Sequence, residues 1–135
     1  MQTYNNYQNA ALLILRIITA AIFYVSAYFK FPFWEGVPGG MSISPFLLFT
    51  TKLLSIAEPL GATAVLFGFL TRLASLGLTI ILIGAIFVSE FVYGIGFVTP
   101  VSAGWNIALA VLGGCLILLA FGAGKWSIDY NRARK

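Results

Sequence analysis

The chain reads as an all-α membrane protein, four transmembrane helices in an up-down-up-down antiparallel bundle, and three observations predict that class. Hydrophobic residues make up 60% of the 135 residues and charged ones 9%, against roughly 45–50% and about 25% in soluble domains. Apolar runs near the ~20 residues a bilayer requires recur four times, over about 10–29, 46–70, 73–93 and 103–121. The links between them are short, which makes successive helices antiparallel neighbours. Residues 1–135 are read as one domain of this kind.

Met1 to Asn9 is polar and carries no base, so it lacks the charged start of a secretory signal, and Ala10 to Phe29 is expected to be a retained first helix. Arg16 lies about 9 Å inside that helix at 1.5 Å per residue, within reach of the headgroups for a long side chain. The segment Lys30 to Pro45 contains three prolines, three glycines and Trp34; that composition forbids a long regular helix and predicts a re-entrant or surface-lying loop. In the second helix Ala57, Gly61, Ala64 and Gly68 share one narrow stripe, a face for helix docking. The run Gly68-Phe69-Leu70-Thr71-Arg72 is a tight turn into the third helix, where Gly77 and Gly84 share a face. Gly94 to Ser102 is a further turn, Ala110 and Gly114 have small-xxx-small spacing, and Gly122-Ala123-Gly124 ends the fourth helix.

Four crossings place both termini on one side. Arg16, Arg72, Lys125, Arg132, Arg134 and Lys135 lie there, whereas Lys30 and Lys52 lie on the other. The positive-inside rule assigns the basic side, with both termini, to the cytoplasm of a cell inner membrane. Arg72 and Lys125 are thus topology determinants and headgroup contacts. Asp129 is expected to cap a helix or to pair with Arg72. The net charge of +4 is spread along the chain, which argues against nucleic-acid binding.

The chain has no histidine and one cysteine, Cys115. A Cys/His metal site, a CxxC redox pair and His-ligated haem are therefore outside its means. No metal and no covalently bound cofactor is expected, and Cys115 is expected to be inert packing. Electrons that pass through such a protein need a diffusible organic carrier or a partner's cofactor.

Glu58 is the first functional candidate, because a carboxylate inside an apolar span costs roughly 2.5–3.5 kcal/mol on insertion scales and persists with a partner or a task. Lys52, Tyr28 and Asn106 are its expected partners. Arg16 is a poor one, since side chains lean toward the N-terminus of their own helix and the two would diverge. Lys30, Lys52, Glu58, Glu90 and Asn106, together with aromatic residues such as Tyr28, Trp34 and Trp105, gather in the outer half of the predicted bundle.

Leu15-Arg16, Phe23 and Lys30 in the first helix, Glu58 followed by Gly68-Phe69-Leu70-Thr71-Arg72, and the closing Gly122-Ala-Gly-Lys-Trp-Ser-Ile-Asp129 together resemble the DoxX family of small four-helix membrane proteins. The family pattern often has a histidine–glycine pair shortly before the lysine of the first helix; this sequence has Ser26-Ala27 there. The resemblance implies an inner-membrane protein related to the membrane subunit of thiosulfate:quinone oxidoreductase and to anchors of oxidative-stress complexes.

With an apolar aromatic wall and a few polar groups, the outer half suits a quinone headgroup. The expected roles are Glu58 as proton carrier and Tyr28, Lys30, Lys52, Glu90, Trp105 and Asn106 as ligand contacts, with a soluble oxidoreductase as partner. The alternative is a non-enzymatic membrane scaffold or small-solute carrier, in which the same polar residues hold the helices in register.

Overall fold

The computed structural model describes residues 4–40, 42–100 and 104–134. Five α-helices occur among them and no strand: α1 Asn6–Tyr28, α2 Pro45–Phe67, α3 Thr71–Phe87, α4 Asn106–Phe121 and the short α5 Ile128–Arg132. Two 3-10 turns, Phe31–Trp34 and Pro38–Gly40, occupy the α1–α2 link, and a π turn, Val88–Val92, prolongs α3.

The helix ends follow local chemistry. α1 begins four residues before the expected Ala10, because Asn5 and Gln8 form a reciprocal capping box that satisfies two otherwise orphaned backbone donors. Ser44 caps α2, Pro45 opens it, and Gly68 closes it in the left-handed conformation (φ 68°), which glycine adopts without a Cβ penalty. Pro59 lies inside α2 without ending it. α3 starts at Thr71 rather than Leu73 and leaves α-helical geometry at Val88. α4 starts at Asn106 rather than Ala103; the expected start lies outside the described residues.

α1 packs on α2, α2 on α3, α3 on α4, and α1 on α4. Contacts at both ends give the sense of the pairs. Arg16 meets Val65 while Lys30 meets Glu58, and Arg72 meets Ala120 while Trp105 meets Glu90. In each pair the numbering rises along one helix as it falls along the other.

Among the described residues two helical runs are long and apolar enough to cross a membrane, Asn6–Trp34 (29 residues) and Thr71–Val92 (22 residues); α4 is apolar but shorter. This is fewer than the four expected, and the reasons are physical. α2 carries Lys52, Glu58 and Pro59 within its 23 residues, and at 1.5 Å per residue α4 is about 24 Å long against a hydrocarbon core of ~30 Å.

Large apolar side chains cover much of the outside, and several polar ones are buried beside an apolar core. Ile14, Ile18, Leu60, Leu73, Ile80 and Ile83 are exposed, whereas Asn9, Arg16, Thr19, Ser55, Glu58 and Ser75 are buried. Leu12, Phe23, Val65, Leu78, Cys115 and Leu118 fill the apolar part of the core. In α2 the fully covered face is Ser55, Glu58, Ala62 and Val65, with the small-residue stripe on its flank. Within that stripe Gly61 lies against Leu78, and a Cβ on Gly68 would run into Ser127 and the Arg16 guanidinium. Gly77 and Gly84 face open space, so the face they share is not a packed one.

Candidate functional site

α1 ends at Tyr28, and the chain turns through Lys30 into the Phe31–Trp34 turn. That turn aims the lysine back down the α1–α2 seam, where its Nζ donates to Glu58 Oε2 at 2.8 Å, to Ser26 Oγ at 2.6 Å and to Ser26 O at 3.3 Å. An ammonium has three N–H groups, and all three are used. Glu58 is 3% exposed, a burial that a carboxylate tolerates when it is paired and hydrogen-bonded. Its partner is Lys30, rather than Lys52, Tyr28 or Asn106. The lysine sits past the end of α1, and its four-carbon stem leans back toward the helix to close the distance. Ser26, standing where the family pattern often has a histidine, is the hydroxyl that holds the ammonium.

Lys52 and Trp34 form a second layer above this pair. Trp34 Nε1 donates to Ser55 Oγ at 2.9 Å, Ser55 donates in turn to Lys52 O, and the Lys52 ammonium stands 5.6 Å from the Trp34 ring centroid. The 3-10 turn is thereby tied to α2. Outside it, Tyr28, Phe29, Phe31, Pro32, Trp34 and Glu35 line an open cleft of about 420 Å³. Tyr28 is 71% exposed and meets Phe29 edge-on at 5.8 Å. Neither Glu58 nor Lys30 lines this cleft.

The remaining expected ligand contacts form a group of their own. Trp105 Nε1 donates to Glu90 Oε2 at 2.6 Å, and the Trp105 ring packs edge-on against Phe97. Asn106 Oδ1 is buried without a hydrogen-bond partner. These residues occupy the same end of the molecule as Lys30, yet among the described residues no hydrogen bond or ion pair joins them to Lys30 or Glu58. The single convergent set expected from sequence is two clusters, one on α1–α2 and one on α3–α4.

At the opposite end the structure departs furthest from expectation. Arg16 is 2% exposed and does not reach the headgroups. Its guanidinium donates to the carbonyls of Val65, Leu66, Ala123 and Trp126. The end of a helix leaves carbonyls without intrahelical partners, and a planar fork with five donors can serve several at once. Arg16 thus joins α1, the end of α2 and the chain after α4.

Asn9, which no sequence argument singled out, does similar work. Its amide donates to Tyr4 O and Asn5 O and accepts from Lys125 N at 2.8 Å. Asp129 is the cap expected of it rather than a partner of Arg72. It accepts from Leu70 N, Thr71 N and Thr71 Oγ1, each within 2.9 Å, and so closes the start of α3, where Leu70 is held at φ 46°. Arg72 instead donates to Ala120 O at 3.2 Å. Asn9 is a polar residue at one edge of an apolar helix, a faint signal; Arg16 was visible as a charge but not as a clamp.

A family model described as DoxX matches residues 11–91, more than half of the chain. The matched stretch contains Arg16, Lys30, Glu58 and the Gly68–Arg72 turn, and stops before Asp129. None of the curated proteins or solved structures compared with the chain matches it. The DoxX match and the apolar helices point to a membrane protein. The chain belongs to the DoxX family.

Proposed function

We propose that the protein is a multi-pass inner-membrane subunit or anchor of an oxidoreductase complex, and that it receives a quinone ring at the end marked by Lys30 and Glu58. In this reading α1 to α4 cross the bilayer up-down-up-down with both termini in the cytoplasm. Support for the placement comes from the apolar exterior and from the basic residues Arg72, Lys125, Arg132 and Arg134, which all belong to the end that carries the C-terminus.

The observation that carries the site is the Lys30–Glu58 pair, in which the carboxylate is buried and the lysine partly so, next to an aromatic cleft whose walls include Phe29 and Phe31, the residues on either side of Lys30. Flat aromatic walls fit a quinone ring, and Lys30 stands in sequence between two of the wall residues, Phe29 and Phe31. Bound quinone supplies a two-electron, two-proton acceptor; the electrons come from a soluble oxidoreductase partner. The chain's own part is to hold the ring between Tyr28 and Trp34, to turn the Lys30 ammonium from Ser26 toward its carbonyl edge when the ring binds, and to keep a transferable proton shared between Lys30 and Glu58.

A second reading, a membrane scaffold or small-solute carrier, is favoured by one feature. The three N–H groups of Lys30 are all engaged, and Glu58 stays off the cleft wall, so the pair also serves to lock α1 to α2.

Solvent extraction of the protein purified in mild detergent separates the two readings. Roughly stoichiometric quinone in the extract supports the first, and lipid without quinone supports the second. In a reconstituted complex, Glu58→Gln should abolish quinol formation; unchanged turnover with intact assembly removes Glu58 from the role.

A further inference from the structure

The end opposite Lys30 holds a larger cleft, about 720 Å³, between the start of α3 and the chain that follows α4. Its lining has two components. Arg72 and Lys125 supply cations, while Leu70, Leu73, Phe121 and Ala123 supply apolar wall. Arg72 spends one nitrogen on Ala120 O, which leaves the rest of its fork available. The Lys125 ammonium has no hydrogen-bond or ion-pair partner among the described residues, its backbone N–H alone being held by Asn9.

Asp129, the one acid in the lining, is committed to three bonds at the start of α3. The other acids, Glu35, Glu58 and Glu90, belong to the far end. Arg132 and Arg134 lie over the rings of Phe69 and Tyr130 and are not part of the lining.

We infer that this cleft binds the headgroup phosphate of an anionic phospholipid, gripped by Arg72 and Lys125, with an acyl chain running down the outside of α3 and α4. Charge complementarity selects an anion, since the two cations face no uncommitted carboxylate. The apolar wall selects one that carries a tail, because exposed Leu73 and Phe121 continue into exposed Leu76, Ile80 and Ile117, a continuous greasy track leading away from the cations. Basic pockets between membrane helices are where anionic headgroups are held. The occupant joins α3 to the segment after α4, the junction that Asp129 closes from the other side.

The test is native mass spectrometry of the full chain in detergent, titrated with phosphatidylglycerol and, separately, with phosphatidylcholine. Phosphatidylglycerol is expected to bind at least about tenfold more tightly. At about one kcal/mol per basic residue near a headgroup, Lys125→Gln should weaken it about fivefold and Arg72→Gln with Lys125→Gln about 25-fold. Arg132→Gln, which changes the same net charge as Lys125→Gln at a side chain lying over Phe69 outside the lining, should leave it within about twofold. Melting temperature checks that each variant is folded, and the single Lys125→Gln, which removes no structural bond, carries the test if the double variant is not. Equal affinity for the two lipids, equal loss in Lys125→Gln and Arg132→Gln, or displacement of the lipid by an equal concentration of inorganic phosphate would each overturn the assignment.

Discussion

Arg16 Nε donates to Val65 O across 2.9 Å, so a side chain from the middle of α1 closes the last turn of α2. The same guanidinium reaches Leu66, Ala123 and Trp126. Arg16→Lys keeps the charge but cannot span the four carbonyls, and buried acceptors left without donors cost about 1–3 kcal/mol each. The variant is expected to lose at least about 2 kcal/mol in a denaturant titration in detergent; a loss below experimental error would mean that the fork is dispensable.

Lys30 and Glu58 should be energetically coupled. Their pair is intermediate between exposed and buried, so breaking it by Glu58→Gln or by Lys30→Gln is expected to cost about 2 kcal/mol. The double variant should cost clearly less than the sum of the two. Additive losses in that cycle would show that the 2.8 Å contact carries no coupling energy.

Asp129→Ala removes the acceptor for Leu70 N and Thr71 N. Loss of a helix cap costs about 0.5–2 kcal/mol. Hydrogen exchange at these two amides should accelerate well ahead of exchange in the middle of α3. Uniform exchange along the helix would place the cap elsewhere.

The glycines separate into two kinds. Gly68→Ala must hold a Cβ at φ 68° against Ser127 and Arg16, and is expected to lower stability by more than about 1 kcal/mol. Gly77→Ala and Gly84→Ala meet nothing within 4 Å and sit in helix, where alanine is favoured by up to about 1 kcal/mol. Thermal melts of the three variants check the sign of each. Destabilisation by all three would mean that the outer face of α3 is covered.

The helical class and the four apolar segments were legible because composition and span length report on solvent directly. Boundaries were less so. The Asn5–Gln8 capping box lies in plain sight in the sequence, but hydrophobicity alone starts α1 at Ala10. Glu58 stood out because a carboxylate among apolar residues is rare; its partner did not, because the pairing depends on the chain doubling back just after Tyr28. Arg16 was assigned to the nearest surface by depth, whereas the carbonyls that hold it come from two distant segments and exist as a set only in the folded molecule. Depth along the helices puts Glu90, Trp105 and Asn106 at one end with Lys30, and only packing shows that they form a cluster separate from it.

The central claim is that the Lys30–Glu58 pair and the aromatic cleft beside it receive a quinone. It is tested most directly by melting the purified protein with and without a short-chain ubiquinone analogue, in the wild-type chain and in Glu58→Gln. The melting temperature of the wild type is expected to rise, and the rise to be lost or much reduced in the variant. No rise in the wild type, or the same rise in both, would contradict it.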